Sequence, residues 1–89
     1  MPCWEITVKG RVQGVGFRWF AVRLAEQVGI RGYVKNLANG AVRIMAIGEP
    51  GDLDIFSQLI KQGSYPIRVD ELDVMKLDRF TEYEDFFIA

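Results

Sequence analysis

The sequence lacks histidine and contains one cysteine, Cys3, among its 89 residues. One thiol cannot form a disulfide within the chain, and without histidine or a second cysteine the usual ligands of a structural zinc site are missing. We therefore expect no metal and no cofactor. Such cysteine usage suits a reducing compartment.

Long apolar runs and an excess of positive charge are also missing. No stretch approaches the ~18 consecutive apolar residues of a transmembrane helix, and the N-terminus lacks the basic and apolar regions of a signal peptide. The formal net charge is −1, whereas nucleic-acid binders usually carry a basic excess. We therefore expect a cytoplasmic protein that binds neither membranes nor nucleic acids, although a local cationic site is compatible with this balance.

The first third of the chain predicts a strand, a loop and a helix. Apolar and polar side chains alternate over residues 4–9, which indicates a half-buried strand that we expect Gly10 to end. Three glycines within residues 10–16 indicate a loop. From residue 17 apolar side chains recur at helical spacing, with Gly29 as the expected C-terminal cap.

The middle of the chain predicts a hairpin between strands at residues 31–37 and 41–47. A two-residue turn at residues 39–40 would place Val34 and Ile44 on opposite faces of the sheet. A three-residue loop with its glycine left-handed would place both side chains on one face. We prefer the three-residue loop, because the buried face determines strand register.

The last part of the chain predicts a helix and one or two strands. Asp52 is the candidate N-cap of the helix, and Gly63 is expected to end it. Residues 67–77 predict a fourth strand, whose alternation slips phase after Asp70 and so indicates a bulge or bend. Residues 83–88 can add a short closing strand.

The resulting order is β-α-β-β-α-β, which is the split βαβ pattern. We therefore expect one domain over residues 1–89, of the α+β class, with a ferredoxin-like antiparallel sheet, both helices on one face and a short fifth strand as an addition. Right-handed crossovers make the first two strands parallel, with the third strand between them. The glycine loop and Asn36, near the end of the second strand, should then lie close together.

Arg18 falls in the first turn of the predicted first helix. Its charge there faces the positive end of the helix dipole, and this unfavourable interaction costs about 0.3–1 kcal/mol. A bound anion would make the local electrostatic interaction favourable. Backbone N–H groups of a glycine-rich turn before a helix bind anions, and an arginine fork suits phosphate oxygens. A solvated surface arginine is the alternative, and these arguments leave both interpretations open.

Two segments resemble the signatures of a known enzyme family. Residues 10–18, GRVQGVGFR, resemble the signature loop of the acylphosphatase family, and residues 32–37 followed by residues 39–40 resemble its second signature. Residues 68–70 and 86–88 also fit. The resemblance therefore covers nearly the whole chain.

The resemblance implies hydrolysis of the carboxyl–phosphate bond of acyl phosphates by water, without a metal. Arg18 and the loop amides would bind the phosphoryl group, and Asn36 would orient the attacking water. Phosphate and sulfate anions are expected to occupy the same loop. Leu37 stands where some relatives carry a hydroxyl. The expected N–H donors are those of Arg11, Val12, Gln13, Gly14, Val15 and Gly16.

Two other functions deserve comparison with this interpretation. RNA-recognition modules of the same topology stack bases on sheet aromatics, but the predicted third strand, residues 41–47, has no aromatic residue. A phosphate sensor, or a domain that serves a larger carbamoyl-transfer enzyme, would keep the fold without the turnover. We favour a free-standing enzyme, because the 89 residues include no linker at either end, and we take a monomer as the default oligomeric state.

Overall fold

A computed structural model of the protein describes residues 1–78 and 82–89. The described residues form five strands and two helices in the predicted order. Their bounds are β1 Cys3–Arg11, α1 Phe17–Val28, β2 Arg31–Asn36, β3 Val42–Ile47, α2 Pro50–Gln62, β4 Arg68–Leu77 and β5 Phe86–Ile88.

The strands form one sheet in the order β4-β1-β3-β2-β5. β3 pairs antiparallel with both β1 and β2, so β1 and β2 run parallel on either side of it, as predicted. β5 adds to the outer edge of β2 in the parallel direction, which makes the sheet mixed. The fold is the ferredoxin-like α+β sandwich that the element order predicts.

The hairpin between β2 and β3 has the register that we preferred. Val34 pairs directly with Ile44, and both side chains are fully buried. Leu37 N–H donates to the Ala41 carbonyl at 2.8 Å, which leaves three residues in the loop. The last of these, Gly40, has a φ of 91°. The buried face therefore determines the register, and the left-handed glycine allows it.

A bulge interrupts the pairing of β1 with β4 where the alternation of β4 slips phase. Lys9 and Gly10 are neighbours on β1, but their partners on β4 are Glu71 and Val69. Asp70 is thus the extra residue. The predicted bulge is confirmed, and such an insertion increases the local twist of the strands.

The prediction that Gly10 ends the first strand is wrong. β1 continues through Gly10 to Arg11, which pairs with Arg68. Gly10 has a φ of 137°, and a Cβ on it would lie 2.2 Å from the Arg68 carbonyl oxygen. Glycine is therefore present because the bulged strand of β4 approaches the backbone of β1, and not because the strand stops.

Both helices pack on the same face of the sheet. Gly29 ends α1 in the left-handed conformation, and its N–H donates to Ala25 at 2.8 Å, as expected for a C-terminal cap. The prediction of Asp52 as N-cap of α2 is wrong, because Glu49 holds that position and Pro50 follows it. Proline favours the first helical position, and Asp52 instead lies in the first turn, where its charge complements the helix dipole.

Apolar side chains form clusters on both faces of the sheet. The main core lies between the sheet and the helices, where α2 contributes the fully buried Leu53, Phe56 and Ile60. A smaller cluster on the opposite face is centred on Cys3 and Met45, whose sulfur atoms are 3.4 Å apart. Among residues 1–78 and 82–89, neither helix has the length and apolar character needed to cross a membrane.

Candidate anion-binding site

The glycine loop, residues 12–16, connects the end of β1 to the start of α1. Val12 is buried and anchors the loop to the core. Gly14 and Gly16 have φ values of 75° and 81°, although a Cβ on either would meet nothing within 4 Å. The left-handed backbone, rather than lack of space, therefore calls for glycine at both positions.

Gly16 occupies the N-cap position of α1, and no side-chain hydrogen bond caps this helix in the described part of the chain. The first turn of α1 contains no acidic residue. A helix start without a side-chain cap leaves backbone N–H groups available to a ligand, and the helix dipole favours a negative one.

Arg18 is the second residue of α1 and is exposed. Its neighbour Phe17 is buried against the core, so successive side chains of this turn point in different directions. Within residues 1–78 and 82–89, no side chain forms an ion pair or a hydrogen bond with the Arg18 guanidinium. None of the described side chains therefore competes with an anion for its donors.

Asn36 is the last residue of β2 and is also exposed. It pairs with Val42, which in turn pairs with Val8 of β1, so the three residues form one row across the sheet. Paired side chains share a face, and Val8 and Val42 belong to the core beneath the helices. Asn36 therefore lies on the helix-covered face, about 10 Å from β1 across two strand spacings.

The side chain of Gln13 connects the glycine loop to the segment that follows Asn36. Its Nε2 donates to the Leu37 carbonyl at 2.9 Å and to the Ala41 carbonyl at 2.8 Å. These partners are 24 and 28 residues away along the chain. The predicted closeness of the loop and the end of β2 is thus realised through a pair of hydrogen bonds.

Positive charge accumulates around the start of the loop. Arg11 is exposed and lies opposite Arg68 on β4. The hydrogen bond from Arg68 to Asp70, at 2.9 Å, raises the pKa of the Arg68 guanidinium. Asp70 already engages Arg68, whereas Arg11 forms no ion pair with any residue of the ranges 1–78 and 82–89.

The structure thus brings most of the predicted site residues to one end of the sheet. The loop residues 12–16, Arg18 and Asn36 lie at the ends of β1 and β2 and at the start of α1. Arg11 belongs to β1 rather than to the loop. The hydrogen bonds of the Gln13 side chain were not predicted, because no local sequence pattern indicates partners so distant along the chain.

Comparison with known proteins connects this arrangement to one family. The family described as Acylphosphatase matches residues 4–88. The acylphosphatase of Archaeoglobus fulgidus is 47% identical over 85 residues, which cover 96% of this chain and 94% of that protein. The crystal structure of acylphosphatase from Bacillus subtilis has a TM-score of 0.96 and 36% identity, covering 100% of this chain and 99% of that chain.

A longer protein contains a similar segment. The probable carbamoyltransferase HypF of Methanocaldococcus jannaschii is 42% identical over 85 residues. These residues cover 94% of this chain and 11% of that protein.

Proposed function

Since the chain belongs to the acylphosphatase family, we propose that it hydrolyses acyl phosphates to a carboxylate and inorganic phosphate. The observation that carries the proposal is the juxtaposition of an uncapped glycine loop with the end of β2, which Gln13 holds together. This juxtaposition supports the proposal that an anion-binding turn and a side-chain carboxamide act from the two sides of one reaction site.

In the proposed reaction the loop N–H groups and Arg18 bind the phosphoryl group. Phosphoryl transfer depends mainly on positioning and on charge stabilisation, and backbone dipoles with a guanidinium supply the charge stabilisation. Asn36 holds a water molecule in line with the bond to be broken. The N–H donors proposed are those of residues 11–16.

The bond changes balance without a general acid. The water oxygen forms a bond to phosphorus, and the bond between phosphorus and the acyl oxygen breaks. Carboxylic acids have pKa values near ~4, so the carboxylate leaves with its electron pair and needs no proton. The proton of the attacking water passes to a phosphate oxygen of the substrate. The reaction as proposed uses no metal and no cofactor.

The test compares two substrates in the presence of EDTA. We expect rapid hydrolysis of benzoyl phosphate and little hydrolysis of p-nitrophenyl phosphate, because the phenolate of the second substrate is a poorer leaving group. Inorganic phosphate and sulfate should inhibit competitively. Equal rates with the two substrates, or loss of activity with EDTA, would contradict the proposal.

A binding domain without turnover is the second candidate function. The carbamoyltransferase relative favours it, because there a similar segment is a small part of a longer chain. Such a domain would bind phosphate but would leave benzoyl phosphate intact. The substrate comparison therefore separates the two candidates.

We further propose that the protein is a cytoplasmic monomer that binds no nucleic acid. Supporting observations are the near-balanced charge and the single cysteine. Cell fractionation tests the location, sedimentation tests the oligomeric state, and a gel shift with single-stranded RNA tests nucleic-acid binding. A stable dimer, a secreted protein or a retarded RNA band would each contradict one of them.

A further inference from the structure

Beyond its backbone N–H, Gln13 has a side chain whose contacts connect two parts of the site. We propose that Gln13 is a positioning residue, whose carboxamide sets the spacing between the glycine loop and Asn36. This inference rests on the proposed function. It assigns the side chain of Gln13 no contact with the substrate.

Strand pairing does not hold the loop at this distance. The last pair between β1 and β3 is that of Val8 with Val42. Beyond it, within the part of the chain that the structure describes, β1 pairs only with β4: through Lys9 before the bulge, and through Gly10 and Arg11 after it. The end of β1 and the hairpin that follows Asn36 therefore have no direct ladder between them.

A cleft occupies the space between these two segments. It has a volume of about 340 Å³ and is lined by Lys9, Gly10, Asn39, Gly40 and Ala41. Because an open cleft supplies few packing contacts, the packing that anchors the loop acts through the buried Val12 and not across this cleft.

Gln13 spans this separation with both of its amide protons. An amide NH₂ has two donors, and each meets a backbone carbonyl, at 2.9 Å on Leu37 and 2.8 Å on Ala41. The same two residues close the hairpin, since Leu37 N–H donates to the Ala41 carbonyl. The amide therefore binds both residues of the pair that closes the hairpin, and the first of them, Leu37, directly follows Asn36.

The position of Asn36 relative to bound phosphate should then depend on Gln13, whereas phosphate binding should not. The loop has its left-handed turns at Gly14 and Gly16, and Val12 anchors it to the core, so neither feature involves the Gln13 side chain. Loss of the Gln13 hydrogen bonds would leave an intact anion site whose attacking water is displaced. A displacement on the order of 1 Å can cost about 10²-fold in rate.

The experiment uses the full chain with Gln13→Met, which keeps the length of the side chain and removes both donors. Gln58→Met is the matched control, because Gln58 is exposed on α2. We expect Gln13→Met to lower kcat for benzoyl phosphate at least about 10-fold. The Kd for inorganic phosphate, from isothermal titration, should change less than about twofold, and the control should match the wild type.

A second variant keeps the test decisive if Gln13→Met does not fold. Gln13→Asn retains the amide but is one methylene shorter, so it can reach one carbonyl at most. Its kcat should lie between those of the wild type and Gln13→Met, or below that of the wild type if only this variant folds. Circular dichroism establishes folding for each protein.

The outcomes separate this inference from the proposed function. If the wild type and Gln58→Met do not hydrolyse benzoyl phosphate, the proposed function fails and the inference fails with it. If the wild type is active and folded Gln13→Met has the same kcat, only the positioning role is overturned. A parallel loss of kcat and phosphate affinity would also overturn it, because Gln13 would then act through the anion site itself.

Discussion

The backbones of Gly32 on β2 and Met45 on β3 lie so close together that a Cβ on Gly32 would be 1.8 Å from the Met45 carbonyl oxygen. The φ of Gly32 is 134°, which side-chain-bearing residues rarely adopt. Gly32 belongs to the strand that carries Asn36 at its end.

We expect Gly32→Ala to lower the free energy of unfolding by at least about 3 kcal/mol, since steric overlap adds to backbone strain. Gly51→Ala is the control, because a Cβ there meets nothing within 4 Å. The control should be neutral or gain up to about 1 kcal/mol from its higher helix propensity. Urea denaturation measures both variants, and equal stabilities would contradict the close approach of the strands.

Arg18→Ala should lower kcat/KM for benzoyl phosphate by at least about 10²-fold, as expected for the loss of one preorganised donor. Arg18→Lys should recover part of this loss, because an ammonium keeps the charge without the fork. Arg23→Ala is the matched control, since Arg23 is also exposed on α1. An Arg18→Ala protein that is folded and as active as the control would remove Arg18 from the reaction.

Asn36→Ala should also lower turnover by about 10²-fold, but mainly through kcat. The loop and Arg18 still bind the phosphoryl group in this variant, so KM should change little. Gln27→Ala removes an exposed carboxamide from α1 and serves as the control. Steady-state kinetics measure kcat and KM of both variants. A rise in KM at unchanged kcat would indicate that Asn36 binds substrate and does not orient water.

Phe56 connects the helices to the edge of the sheet that carries β5. It is fully buried, and its ring meets that of Phe86 edge-on with the centroids 6.0 Å apart. Phe56→Ala should cost about 3–5 kcal/mol, because it leaves a large cavity. The neighbouring Ile55 is 52% exposed, and Ile55→Ala should stay within about 0.5 kcal/mol of the wild type. Similar losses in both variants, measured by guanidinium denaturation, would show that α2 packs through a different face.

Sequence patterns were most informative where they reported a buried face. The preference for a three-residue hairpin loop followed from placing Val34 and Ile44 on one side, and the register confirms it. The slip in alternation after Asp70 correctly indicated a bulge, because the pleat puts every second residue on the same face.

Prediction failed where the preference of one residue was overridden by a distant strand or by a neighbouring residue. Gly10 was predicted to end the strand, but glycine is needed there because the backbone of Arg68 lies against it. The sequence around Gly10 contains no sign of this distant contact. Asp52 is a good N-cap residue in isolation, but Pro50 placed the start of α2 earlier in the chain.

Residue order alone was sufficient for the succession of strands and helices, the family resemblance and the identity of Arg18 and Asn36 as candidates. These follow from periodicity and from motifs, which are local properties of the chain. Folding in three dimensions was needed to establish that the carboxamide of Gln13 links the loop to Leu37 and Ala41. A hydrogen bond between residues so far apart in sequence depends on strand twist and helix packing, and neither is encoded in any one segment.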